Sequence, residues 1–139
     1  MSDPKLSELT AQVVAFSEER DWARFHSPRN LAMALSVEAA ELLELYLWSA
    51  DEGPQPLHPD REQRVAEEAA DVLICLLNLC HRAGIDLGSA LQAKLLSAAK
   101  KYPVERVRGR ALKYDEYAEW GADTGGAQEP GPEPGPEPG

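Results

Sequence analysis

Val72-Leu73-Ile74-Cys75-Leu76-Leu77-Asn78-Leu79-Cys80 is apolar throughout except for Asn78, and the residues that flank it decide the fold. Upstream, Gly53, Pro54, Pro56 and Pro59 make residues 49–59 a connecting loop, and Asp60 is placed to cap a helix. Downstream, Gly84 supplies the left-handed residue with which helices stop. The interval from Asp60 to about Ala83 is far longer than the roughly 4–8 residues of a buried strand, so it is one helix. A helix apolar around most of its circumference needs cover on every side.

The cover comes from three further helical patterns. Ser27-Pro28 is a start signal, after which Leu31, Leu35, Leu42 and Leu45 trace one face to about Trp48. An earlier helix is expected from Pro4, capped by Asp3, with Leu6, Leu9, Val13 and Phe16 on one face. A later one starts after Asp86, carries Leu87, Leu91 and Leu95, and ends before Pro103. The short Gly84-Ile85 link makes the third and fourth helices antiparallel neighbours. With no alternating strand pattern, internal repeat or Gly-rich phosphate loop, the expected fold class is all-α, a four-helix bundle. Residues 102–120, with Tyr102, Tyr114, Tyr117 and Trp120 among many charges, are left without an assigned packing partner.

Residues 121–139 contain no Leu, Ile, Val or aromatic side chain and end in Glu-Pro-Gly repeats, so they have nothing to bury and are expected to form a disordered, acidic Pro/Gly-rich tail behind a domain spanning residues 1–120. The net charge is −10, and the tail's four acids leave about −6 on residues 1–120. That balance argues against a nucleic-acid polymer as partner but suits a protein whose carboxylates hold metal cations that in turn hold phosphates. Cys75 and Cys80 lie on different faces of one helix and should not pair. No apolar run approaches the roughly 18 residues of a membrane span, so no membrane partner is expected and a reduced cytoplasmic setting is the default.

The acids stand where a core should be. Glu38 is in phase with Leu31, Leu35, Leu42 and Leu45, and Glu41 with Val37, Leu45 and Trp48. On the next helix Glu68 is in phase with Val72 and Cys75, and Asp71 with Ile74 and Cys75. Two Glu-x-x-Glu/Asp pairs on facing helices form a chelating cluster, because isolated carboxylates in an apolar setting are costly unless paired or bound to metal. The competing explanation is ion pairing with Arg64, Lys94, Lys100 or Lys101. No Cys or His is placed to complete the cluster, so the expected ion is hard, Mg2+ with Mn2+ as a substitute.

The segment Arg20-Asp21-Trp22-Ala23-Arg24-Phe25-His26-Ser27-Pro28-Arg29-Asn30-Leu31, then Glu38-Ala39-Ala40-Glu41-Leu42 and Trp48, then Glu67-Glu68-Ala69-Ala70-Asp71-Val72-Leu73-Ile74 and Lys101-Tyr102-Pro103-Val104, resembles the dCTP pyrophosphatase branch of the MazG-like nucleotide pyrophosphohydrolases over roughly residues 10–110. The resemblance implies an oligomeric helical bundle, a dimer or tetramer, with magnesium on Glu38, Glu41, Glu68 and Asp71. It implies hydrolysis of a nucleoside triphosphate, dCTP-like pyrimidines favoured, to monophosphate and pyrophosphate. Glu38 or Glu41 takes the water's proton.

By the same resemblance Trp22, His26 and Trp48 belong to the base pocket, where an indole stacks and the imidazole bonds the base edge or sugar; ordinary core packing is their alternative role. Lys94 and Lys101, and more weakly Arg29, are candidates for the phosphates, their alternative being a solvated face. Two residues depart from the family pattern: Cys75 replaces a tyrosine and Ala98 an asparagine. Two other functions stay open: a non-catalytic nucleotide- or protein-binding module on the same fold, and a family hydrolase for a modified nucleotide. The apolar circumference of Val72–Cys80 further implies a homo-oligomer with helix three at its interface, broken by a charge at Leu76 or Leu79.

Overall fold

The computed structural model describes residues 4–47, 59–111, 113, 115 and 116, and among these there is no strand. The order is α1 (Leu6–Glu18), a single 3₁₀ turn (Ala23–Phe25), α2 (Pro28–Glu44), α3 (Pro59–Arg82), α4 (Leu87–Lys101) and a short α5 (Val104–Val107). Residues 121–139, expected to form a tail, lie outside the described residues, as do Trp48 and Trp120.

Each boundary has a local cause. α1 begins at Leu6, two residues later than the Pro4 start expected, because the Glu8 carboxylate accepts the Lys5 N–H at 3.1 Å and fixes the first turn there. α2 begins as read: Ser27 Oγ accepts the Asn30 N–H at 3.1 Å, with Pro28 in the first helical position. Its regular portion ends at Glu44, short of Trp48, and loosens into turns through Leu47. α3 ends on Gly84, whose φ is 66°; Ile85 N–H donates to the Cys80 carbonyl at 2.8 Å and Gly84 N–H to the His81 carbonyl at 3.2 Å. This double bond pattern is the glycine stop that satisfies the last carbonyls. Asp86 then restarts the chain, its carboxylate accepting from Ser89 N at 3.0 Å and Ser89 Oγ at 2.7 Å. Those bonds hold the Asp86 carboxyl below its ordinary range.

The chain divides into two compact units between Gln92 and Ala93, inside α4. In the first, α3 packs along α2 and, over a shorter length, against α1. Among the described residues, Leu31 of α2 and Leu77 and Cys80 of α3 are the buried apolar ones, Leu77 at 2 % exposure. Burying a leucine so fully contributes about 1.5–3 kcal/mol. The four-helix bundle therefore takes the form of three helices packed within this unit, to which α4 contributes only as far as Gln92. In the second unit, α4 continues to Lys101, α5 follows Pro103, and Gly109 adopts φ 73°.

Cover on every side of Val72–Cys80 is not found among the described residues. Leu73 is 38 % and Ile74 41 % exposed, whereas Leu76 and Leu79 are half-buried. A helix with two neighbours inside its unit cannot cover 360°, and the uncovered sector falls on Leu73 and Ile74. A charge at Leu76 or Leu79 would thus act on packing within the chain as well as on any assembly. Cys75 and Cys80 are both free thiols, as their spacing implied. No single helix among the described residues is long and apolar enough to cross a membrane.

Candidate functional site

Where α2 and α3 pack, one carboxylate oxygen from each of Glu38, Glu41 and Glu68 lies within 4.8 Å of the others. Glu38 and Glu68 are half-buried, as the phase of Glu38 with the leucines and of Glu68 with Val72 and Cys75 required. Glu41 is exposed, correcting its expected inward orientation. Three residues further along a helix is about 60° round its axis, which turns Glu41 from the packed face of α2 to its rim. Asp71, one turn beyond Glu68, is also exposed and stands outside the tight trio, though near enough that its charge acts on Glu38 and Cys75.

Electrostatics mark Glu38 as the centre of this group. Burial first, then a hydrogen bond with Glu41, then the charges of Glu41, Asp71 and Glu68, push its carboxyl above the ordinary glutamate value. The Cys75 thiol is pushed up by burial and by the charges of Glu38 and Asp71, which sets it beside the cluster.

The rival explanation from the sequence, ion pairing with Arg64 or lysine, fails. Among the described residues none of the four acids makes an ion pair with a cationic side chain, and Glu68 Oε2 is buried without a hydrogen-bond partner. A trio of like charges with a buried, orphaned carboxylate oxygen is a donor set that fits a cation. An all-oxygen donor set suits a hard divalent ion such as magnesium.

The aromatic candidates are gathered elsewhere. Trp22, 47 % exposed, meets Phe16 edge to face with ring centroids 5.9 Å apart, while Arg20 lies 3.6 Å over the same Phe16 ring. His26 is half-buried, and its carbonyl accepts the Arg82 Nε–H at 2.9 Å. Arg82 is fourteen residues beyond Glu68 on α3, about 21 Å along the axis, so this bond holds the His26 carbonyl towards the C-terminal end of α3. Arg29 is exposed in the first turn of α2, at that same end. Trp48 falls outside the described residues. Lys94 and Lys101 are exposed and belong to the second unit, where Lys101 has an interaction partner. A cleft of about 620 Å3 opens between the start of α1, the end of α3 and the start of α4, and no expected site residue lines it.

Sequence reasoning missed Arg61. This half-buried guanidinium sits 5.0 Å from the Tyr46 ring centre, and its Nε and Nη2 are buried without hydrogen-bond partners among the described residues. In the polar run Asp60-Arg61-Glu62-Gln63-Arg64 it looks like one more solvated charge; only its seven-residue spacing to Glu68 sets it apart.

Residues 33–117 match the MazG-like family. The chain belongs to that family. It is 41 % identical to dCTP pyrophosphatase 1 of Bos taurus over 117 residues, covering 83 % of this chain and 69 % of that one. With the Homo sapiens protein of the same name, identity is 39 % over 116 residues, 82 % of this chain and 68 % of the other. Among solved structures, a pyrophosphatase from Archaeoglobus fulgidus DSM 4304 superposes with a TM-score of 0.61 at 35 % identity, covering 74 % of this chain and 96 % of that chain. The matched region of the MazG-like family includes Glu38, Glu41, Glu68 and Asp71, while Trp22, His26 and Arg29 precede it.

Proposed function

We propose that this chain hydrolyses a nucleoside triphosphate, with dCTP-like pyrimidines favoured, to the monophosphate and pyrophosphate in a magnesium-dependent reaction for which manganese can substitute. The observation that carries the proposal is the Glu38–Glu41–Glu68 trio with its orphaned Glu68 oxygen, in a chain about 40 % identical to dCTP pyrophosphatases. Glu68, Glu41 and Glu38 would hold the ion, with Asp71 beside them. Bound there, magnesium neutralises phosphate charge and makes the α-phosphorus more electrophilic.

The chain's own residues do the rest. Glu38 or Glu41, whose carboxylates lie together in the trio, takes a proton from the attacking water. The water oxygen bonds to the α-phosphorus as the bond to the bridging oxygen of the β-phosphate breaks, and pyrophosphate departs in line. Trp22 and His26, the latter bonded through its carbonyl to Arg82, serve the base pocket, to which a neighbouring subunit of a homo-oligomer contributes. The exposed apolar residues Met33, Val37, Leu43 and Leu47 on and just after α2, with Leu73 and Ile74 on α3, support such assembly.

The test is pyrophosphate release from a panel of ordinary and modified triphosphates, with and without magnesium. Release only with magnesium, greatest on a pyrimidine, is expected. Free phosphate without pyrophosphate would contradict the cleavage position, and silence from a folded protein would leave a binding module instead.

A further inference from the structure

Arg61, Glu68 and Cys75 recur at seven-residue spacing on α3, and seven residues is nearly two full turns, so the three share the face on which the carboxylate trio is built. Arg61 and Glu68 have opposite charge. Each nevertheless keeps buried polar atoms unsatisfied, Nε and Nη2 on one and Oε2 on the other, and they do not bond to each other. Two turns of helix, about 10.5 Å, separate their backbone positions.

Leaving a buried charged group short of partners is costly, and proteins retain such groups where a ligand supplies what is missing. The Glu68 oxygen suits a cation, and the guanidinium edge of Arg61 suits anionic acceptors. A phosphate chain carrying a divalent ion supplies both at once, the ion at Glu68 and oxygen acceptors at Arg61. The Tyr46 ring, 5.0 Å from the guanidinium carbon, is in range of a cation–π contact and limits the directions open to the fork. A planar guanidinium is also the side chain best matched to two phosphate oxygens at once.

On the reading that this site cleaves nucleoside triphosphates, we infer that Arg61 binds the β- and γ-phosphates, the part that leaves as pyrophosphate, through its Nε and Nη2 edge. The phosphate chain then runs along α3 from the trio towards Arg61. Arg61 thereby contributes affinity for the leaving group and none for the base or the α-phosphate.

The experiment uses the full chain with magnesium and follows binding of inorganic pyrophosphate and of a nucleoside monophosphate by calorimetry, for wild type, Arg61→Gln and Arg61→Lys. Arg61→Gln should weaken pyrophosphate binding about tenfold or more, the size of one lost hydrogen bond to a charged group, and leave monophosphate binding within about twofold. Arg61→Lys should fall between, keeping the charge but losing the fork; if the glutamine variant does not fold, this variant decides alone. Unchanged pyrophosphate affinity in a folded variant, an equal loss for both ligands, or no pyrophosphate binding by the wild type would each overturn the inference. These readings do not require turnover. If no triphosphate is hydrolysed yet pyrophosphate binds in an Arg61-dependent way, the proposed reaction fails while this assignment stands.

Discussion

The two halves of α3 are built to different ends. From Arg61 to Asp71 the helix carries charged side chains, two of them with buried atoms that nothing in the described residues satisfies. From Leu77 to Gly84 it carries the most buried leucine, a buried free thiol and a glycine stop with both of its bonds made. The comparison teaches that one continuous helix can hold an unsatisfied site at one end because the other end is fully satisfied. A cluster that disfavours its own ionised state needs a rigid support that does not relax to relieve it.

The largest effect should come from the first half. Glu41→Gln should lower pyrophosphate release about a hundredfold or more with helicity retained on circular dichroism, because it removes one charge from the trio and keeps the shape. Asp71→Asn should cost about tenfold or more, less than Glu41, since Asp71 stands outside the trio. Equal losses would show that both acids serve the ion alike. In the second half, Leu77→Ala should cost about 2–5 kcal/mol in urea unfolding while turnover per folded molecule stays within about twofold. A loss of turnover without a loss of stability would erase the distinction between the halves.

A smaller effect concerns pH. The Glu38 carboxyl in the folded chain titrates above its ordinary 4.5, so the folded state binds that proton more tightly than the unfolded state. The resulting stabilisation is present below pH 4.5 and is lost as pH rises through the raised value. Without metal, the melting temperature should therefore fall by a few degrees towards neutrality; magnesium should restore it, and Glu38→Gln should flatten the slope. A metal-free melting curve with the opposite slope in this range, or one unaltered by Glu38→Gln, would remove Glu38 from the centre of the cluster. The smallest effect is expected from truncation after Trp120, which should leave melting temperature and turnover nearly unchanged, because residues 121–139 hold no large apolar side chain.

Local chemistry was legible in the sequence. Ser27-Pro28, Gly84, Asp86 and Pro103 each punctuate the chain through bonds that span only a few residues, and each stands at its expected boundary. The phase of Glu38 with the leucines, and of Glu68 with Val72 and Cys75, was legible for the same reason, since helical periodicity fixes direction around the axis. What was not legible depended on distant partners. The sector of α3 left open at Leu73 and Ile74 depends on which helices arrive, and the Arg82 bond to the His26 carbonyl joins residues 56 positions apart. Arg61 escaped notice because its meaning lies in bonds it does not make.

The turn that leads into α2 has its own consequence. Asp21 adopts φ 54°, a left-handed conformation open to glycine and, among L-residues, taken mainly by Asn and Asp, and its carboxylate accepts from Arg24 Nη1 at 3.1 Å. Strain of this kind costs on the order of 1–2 kcal/mol, and an exposed ion pair returns at most a part of that. Glycine would relax the turn but widen the set of shapes open to it before any ligand arrives. Keeping aspartate narrows that set, so the stretch carrying Trp22 and His26 is held close to one shape in advance. On the proposed role of Trp22 and His26 in the base pocket, binding through this stretch would lose little freedom, and affinity gained by preorganisation shows in slow release more than in added contacts.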